Sequence, residues 1–409
     1  MTTATGDGLR TGRHQGADIQ MMQIDRIRGW AVAVAALLGM LALDATAARQ
    51  PPSDRNDTVQ ATLDRGTPSG DVVVFDGASG GYDTDDYMKW GVNTWTCQSA
   101  TDAATGACPT QPTQFGSDVS TTIKLSFKEE KTGATVVLNL YAESANARHR
   151  DCNGNIVPAV IGAGRAAIHI ARFVNWSCDS KTVSSDERLL FLNIPAGGFK
   201  KLPSGGIWEA DLKLNLRKWT FILASPAIAV FRAAITLNTT DKNNIQVYLP
   251  QFASAAPTVD LKLRRVANGR RMTGTANVDM CLYDGYNSQS TWFDVSASDG
   301  LAINRRDKGQ YSVLLNSDKS GIDASRVDYG VSLMYAGKKI ALPNSETVRL
   351  QGVNNSAGRS VSLPGISVPV VCTPTPLILE TPEFEMASKD PGKYSSKLTI
   401  TFTPSSASL

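Results

Sequence analysis

Apolar and polar residues alternate with a period of two along most of the chain beyond residue 70. The cleanest case is Gly206–Trp219, where Trp208, Ala210, Leu212, Leu214 and Leu216 take every second place and Glu209, Asp211 and Lys213 lie between them. That period puts one side of a strand in a core and the other in solvent. The same pattern predicts strands at Val72–Phe75, Ser120–Lys128, Thr135–Tyr141, Ala166–Trp176, Leu189–Ile194 and Ala229–Leu237. A second series follows at Ile245–Leu249, Val259–Leu263, Val278–Tyr283, Thr291–Val295, Tyr311–Leu315, Val327–Tyr335, Ser367–Val371 and Lys397–Pro404. Between the series lies Thr239–Asn244, a polar, turn-prone joint. No stretch keeps a helical period over three turns, and only Val59–Leu63 hints at a helical turn. Many short strands with Gly, Pro and Asn turns predict an all-β chain of two immunoglobulin-like sandwiches joined end to end. Residues 48–70 are polar and punctuated by Pro and Gly, and read as a loose segment without a long apolar strand.

The first residues have another character. Arg26 and Arg28 precede an apolar run, Trp30–Leu43, and then Ala45-Thr46-Ala47, a small-x-small cleavage pattern. Fourteen apolar residues suit a signal peptide better than a membrane anchor. Residues 1–47 are therefore expected to be a signal peptide with an extended leading region, starting at Met1, Met21 or Met22. The exported product begins near Ala48. The net charge is +3, which argues against a nucleic-acid partner. Six cysteines all fall after the leader. An even count in an exported chain predicts disulfides, and sequence order pairs Cys97–Cys108, Cys152–Cys178 and Cys281–Cys372. With no CxxC pair and only His149 and His169 in the exported part, no metal site is predicted.

Catalytic chemistry has few footholds. Gly77-Ala-Ser79-Gly-Gly81 fits the nucleophile-elbow spacing, but that motif needs a following helix and a parallel sheet. It reads as a glycine-rich turn, with a secreted hydrolase built on Ser79 as the rival. Asp83, Asp85 and Asp86 lack the continuation of a calcium loop and read as solvated. No H-E-x-x-H, P-loop or dinucleotide fingerprint occurs, so neither cofactor nor catalytic residue is predicted. Arg217-Lys218-Trp219 ends the best strand, and two cations beside an indole suit an acidic ligand as well as they suit a solvated strand end.

Several longer words are more specific. Ile194-Pro-Ala-Gly197, Lys201-Leu-Pro203, Gly205-Gly-Ile-Trp208, Asn244–Phe252, Val278–Tyr286, Ile366–Cys372 and Ile400–Ser406 resemble runs in the tip adhesins of class 5 fimbriae. This is the alternate chaperone–usher family, which takes in the colonization factor antigen I tip adhesin and CblD-like pilus initiators. The match runs from Ile194 to the C-terminus; upstream it thins to the Cys97–Cys108 loop. The resemblance implies an N-terminal adhesin domain at 48–241, a linker at 242–243 and a C-terminal pilin domain at 244–409. It implies an incomplete pilin sandwich with Leu398, Ile400 and Phe402 along the edge of a donor-strand groove. The implied partners are a periplasmic pilus chaperone, an outer-membrane usher, the major pilin subunit as strand donor, and a host glycan or glycoprotein receptor. The implied location is the fimbrium tip at the cell surface. Arginines support receptor binding in the family; the matching strand end here is Arg217-Lys218-Trp219, with Lys218 where the key arginine aligns and Trp219 where a second arginine follows, and a third basic position aligns, across a gap, with Lys89. Lys218 departs from the pattern, because an ammonium cannot make the planar two-pronged grip of a guanidinium. The rival within the family is an assembly initiator without strong receptor binding.

Overall fold

A computed structural model describes residues 49–114, 116–150, 156–158, 165–172, 175–178, 181–220, 226–267 and 269–409. The expected signal peptide lies outside the described residues. No helix among the described residues is long and apolar enough to cross a membrane.

The first half is one wrapped sheet. Its main strands are β1 (Arg55–Asp64), β2 (Val72–Asp83), β3 (Thr94–Cys97), β4 (Thr121–Glu129), β5 (Thr135–Arg150), β6 (Lys181–Ile194), β7 (Gly206–Arg217) and β8 (Ala227–Thr240). They lie in the order β2-β6-β5-β4-β7-β8-β1, with β3 also paired to β7. β7 alternates as its sequence predicts: Trp208, Leu212, Leu214 and Leu216 are fully buried, and Glu209 and Asp211 are exposed. These residues join Phe75, Trp95, Phe127, Phe199 and Phe231 in one apolar core. Cys97 and Cys108 are disulfide-bonded and close the loop after β3.

Two expectations fail here. Residues 55–64 are neither loose nor helical: β1 pairs in parallel with β8 over ten consecutive residues, from Arg55 opposite Phe231 to Asp64 opposite Thr240. Val59, Ala61 and Leu63 take alternate places facing the core. Val59 and Leu63 are also four apart, so a five-residue window fits a helical turn and a strand equally, and pairing with β8 decides between them. Gly77–Gly81 is not a turn but lies inside β2, where breaks in register with β6 absorb the left-handed glycines Gly77 and Gly81.

The second half contains β9 (Gln246–Tyr248), β10 (Arg271–Val278), β11 (Cys281–Tyr283), β12 (Trp292–Ser298), β13 (Tyr311–Leu315), β14 (Arg326–Tyr335), β15 (Thr347–Gln351), β16 (Val370–Pro374), β17 (Leu377–Glu385) and β18 (Thr399–Pro404). One sheet runs through β10-β17-β14-β13, a second is β15-β12-β18, and a third runs through β9-β11-β16. Its core, with Phe293, Val295, Tyr311, Tyr329 and Leu333 at the centre, shares no residue with the first. A disulfide joins Cys281 to Cys372. Cys152, expected to pair with Cys178, lies outside the described residues. Val259–Leu263 forms no ladder: Val259 and Leu261 rest half-buried on the core, and Lys262 takes φ 53° and ends the extended run.

A single 3-10 turn, Lys242–Asn244, leads from β8 towards β9. The halves meet through polar and backbone contacts beside it. The Asp241 N–H donates to the Gly285 carbonyl (2.8 Å). Asn287 Nδ2 donates to the Gly205 carbonyl (2.8 Å). A Cβ at Gly205 would sit 1.9 Å from the Gly285 oxygen, so only glycine fits. Lys131 Nζ donates to the Ser288 carbonyl (2.7 Å) and Gln289 Nε2 to Glu130 (2.9 Å). The buried Asp284 carboxylate accepts the N–H groups of Tyr286, Ser288 and Ser290 and so fixes this turn. Ser406 Oγ, just past β18, donates to the Asp284 carbonyl (2.7 Å).

β1 is open to a direct test. Leu63→Ala empties a buried site between β1 and the core, and is expected to cost about 2–5 kcal/mol, read by denaturant unfolding followed at the buried tryptophans. A cost below about 0.5 kcal/mol, the scale of a surface change, would mean that β1 does not pack in solution.

Candidate functional site

β7 carries the chain from one end of the first lobe to the other. Gly206 adjoins the second half, and Arg217 lies eleven residues on, about 36 Å away at strand rise. Arg217-Lys218-Trp219 therefore stands at the free pole. Arg217 pairs in register with Thr94 of β3, and its Nε donates to Thr96 Oγ1 at 2.9 Å. The Lys218 N–H donates to the Pro226 carbonyl at 3.2 Å. Lys218 is half-buried, and its ammonium has no hydrogen-bond or ion-pair partner among the described residues. Trp219, half-buried, follows it. Held by its guanidinium, Arg217 is positioned; Lys218 keeps its charge available to a ligand.

Lys89 reaches the same end of the lobe along another path. It lies on a one-turn helix, α1 (Tyr87–Trp90), from which Asn93 N–H donates to the Trp90 carbonyl before the chain enters β3 beside Arg217. Its ammonium is already engaged. Lys89 Nζ lies 2.9 Å from Asp83 Oδ2 and 4.4 Å from the centre of the Trp90 ring. Asp83 also takes Arg49 at 3.3 Å and the N–H groups of Asp85 and Asp86. The Lys89 hydrogen bond holds the Asp83 carboxyl down at about 2. Asp83 is thus a buried anchor, where the sequence pointed to a solvated loop. The structure brings the three basic residues to one pole and divides their roles: Lys218 is open, Arg217 is braced and Lys89 is neutralised. Asp83 stood out in the sequence only as part of an acidic cluster, and Thr96 and Arg49 carried no signal, since each belongs to no motif and is distant in sequence from the group it holds.

The rival catalytic reading finds no support in the geometry. Ser79 Oγ donates to Glu187 Oε1 (2.6 Å) and accepts the Gly81 N–H (3.1 Å) in mid-strand. His169 Nδ1 sits 3.2 Å from Thr121 Oγ1. Among the described residues no three His, Cys, Asp or Glu side chains are grouped to hold a metal ion. Leu398, Ile400 and Phe402 line the other candidate surface. All three are half-buried on the second core, with the Phe402 ring 4.7 Å from that of Phe293. β18 pairs with β12 on one side, and its second edge has no strand partner among the described residues.

Two family models match the chain in succession, those of the two domains of the CFA/I fimbrial protein CfaE. The first-domain model matches residues 44–242 and the second-domain model residues 245–406. The curated CFA/I fimbrial protein CfaE of Escherichia coli is 31% identical over 320 residues, covering 76% of this chain and 80% of that protein. Among solved structures, CfaE, described as the adhesive subunit of CFA/I fimbria of enterotoxigenic Escherichia coli, superposes with a TM-score of 0.68 at 28% identity. The match covers 88% of this chain and 94% of that one. A chaperone–tip adhesin complex of CFA/I fimbriae matches with a TM-score of 0.63 at 27% identity, over 88% and 98%.

The pole makes a pH prediction. A carboxyl held below its unfolded value stabilises the fold above about pH 3.8, and that contribution is lost as pH falls through about 2. Lys89→Met removes the largest cause, so the Asp83 carboxyl should titrate closer to 3.8, followed by carbon-13 NMR of the labelled side chain. An unmoved titration would mean that Lys89 does not hold Asp83.

Proposed function

The chain belongs to the CfaE family of CFA/I fimbrial proteins, and from that premise we propose how it works as the minor subunit at a fimbrial tip, starting pilus assembly and attaching the fibre to a host surface. The supporting observation is that the first-domain and second-domain models match in order across one chain. The family is one of fimbrial adhesins, not of enzymes. The product passes through the periplasm, where a pilus chaperone receives it, and ends at the cell surface on the fimbrium.

Each half has its task. Residues 48–241 form the adhesin domain, 242–243 the linker and 244–409 the pilin domain, each domain an immunoglobulin-like sandwich. The open edge of β18, with Leu398, Ile400 and Phe402 half-buried beside it, is where a donated strand pairs. An exposed apolar edge is a liability that a partner chain removes by adding a strand. The chaperone covers it first. At the outer-membrane usher the N-terminal strand of the major pilin replaces the chaperone. The chain donates no strand in return, because β1 is consumed by ten pairs with β8 in its own lobe. It accepts a neighbour at one end only, so it starts the fibre.

At the free pole, Lys218 supplies the charge for a glycan or glycoprotein receptor, Arg217 frames it, and Lys89 supports the pole through Asp83. A charge on a compact ammonium, in place of a planar guanidinium, favours contact with a single acidic oxygen over a two-pronged grip.

Electron microscopy tests the assembly role. A strain lacking the gene is expected to lose its pili, and complementation with a gold-labelled chain to place one particle at each tip. Label along the shaft would contradict the position, and normal pili without the gene would contradict initiation. The pole is tested separately. Arg217→Ala with Lys218→Ala should abolish host-cell attachment while pilus number stays normal. Attachment that persists in that double variant removes the pole from the receptor site and, if no other adhesin-domain change reduces attachment, favours an initiator that binds no receptor strongly.

A further inference from the structure

The outer face of the first lobe carries a hollow that neither the pole nor the junction uses. It crosses β2, β6 and β5. Ladder register places Val73, Asn193 and Tyr141 opposite one another in one row, and Asp76, Phe191 and Glu143 in the next. Their chain neighbours Leu140, Ala142, Leu190 and Leu192 are buried in the first core, so the pleat turns these rows outwards. β2 breaks register with β6 between Leu190 and Phe191 and again between Leu192 and Asn193. Such breaks bend a strand, and here they accompany a groove of about 400 Å³, within the size range of small-molecule sites.

The lining has a definite chemistry. Tyr141 and Val73 remain 44% and 56% exposed in mid-sheet, where a solvated strand face ordinarily carries polar residues. Phe191 is half-buried, with the Arg165 guanidinium 5.8 Å from its ring centre. Arg165 is also paired with Glu143. Asn193 is held in place by Asp71, which accepts its Nδ2–H. The Asp76 carboxylate is exposed and has no hydrogen-bond partner among the described residues. The groove thus presents aromatic surface beside a fixed amide and an unengaged acceptor. Its lining contains Asp71, Asp76 and Glu143, and Arg165 at its margin offsets only Glu143, so the groove keeps a net negative charge. That charge repels sulfated, phosphorylated and sialylated ligands, which the pole would attract.

We propose that this groove is a separate binding site for a neutral saccharide. The apolar C–H face of a sugar ring covers the Tyr141 and Phe191 rings, hydroxyl groups donate to Asp76, and the Asn193 amide fixes orientation. The inference takes its biological setting from the adhesive role of this lobe, but the binding is a property of the purified chain.

The test is a glycan array carrying neutral and sialylated oligosaccharides, probed with the full chain in complex with its chaperone. Neutral glycans are expected to bind. Tyr141→Ala and Asp76→Asn, both surface changes, should each weaken that binding tenfold or more, and Lys218→Ala should leave it unchanged. Tyr141→Phe, which keeps the ring, should retain binding and separates lost stacking from lost folding. No neutral glycan bound, binding indifferent to both Tyr141→Ala and Asp76→Asn, or binding only to a tetralysine peptide printed on the same array would each overturn the proposal. Host attachment lost in the Arg217, Lys218 double variant, with the array blank for neutral glycans, would sink this site and leave the adhesive role standing.

Discussion

One backbone hydrogen bond, from the Asp241 N–H to the Gly285 carbonyl, fixes the point around which the two halves are built. Everything near it has been cleared so that main chain meets main chain. Gly205 cannot carry a Cβ against the Gly285 oxygen, and a Cβ at Gly285, itself at φ 65°, would lie 2.4 Å from the Asp241 oxygen. The turn that presents Gly285 is held by a buried carboxylate. Burial raises the Asp284 pKa, and the N–H groups it accepts from Ser288, Ser290 and Tyr286 pull against that rise. A buried acceptor filled by several backbone donors is costly to disturb, because removing it orphans each donor. The linker is therefore a seam and not a loose tether.

The same accounting explains how the pole keeps one cation open. Lys89 spends its charge on a buried aspartate that it shares with Arg49. Arg217 is turned sideways onto Thr96. Lys218, between a braced residue and an indole, is the cation whose position is set by its neighbours while its charge is not used by them.

How much of this was legible in the sequence varies with the range of the interaction. β7 was read almost residue by residue, because five apolar side chains at every second place admit no other burial pattern. The 3-10 turn at Lys242–Asn244 falls within the stretch that composition marked as polar and turn-prone. β1 was missed: three apolar residues in a polar stretch are too few to fix a period, and its partner β8 lies more than 170 residues away. Val259–Leu263 failed in the opposite direction, since its alternation is real and its side chains do reach the core, but a strand also needs a neighbour and none pairs with it. The outward rows that bring Tyr141, Phe191 and Asp76 together follow from sheet register, which a single sequence does not display, and the engagement of Lys89 by Asp83 depends on the turn between β2 and α1.

The parallel pairing of β1 with β8 also sets an order of events in time. Arg55–Asp64 lies early in the chain, preceded among the described residues by the two-residue strand Arg49–Gln50, and the strand it must join ends at Thr240. Closing so long a loop is entropically expensive and slow, so this early segment is among the last placed. Until then the first lobe exposes the edge of β8 and the apolar side chains that β1 covers, a state prone to pairing with the wrong chain. Folding of this protein thus carries a window of vulnerability that belongs to the first half, distinct from the open edge of β18 in the second.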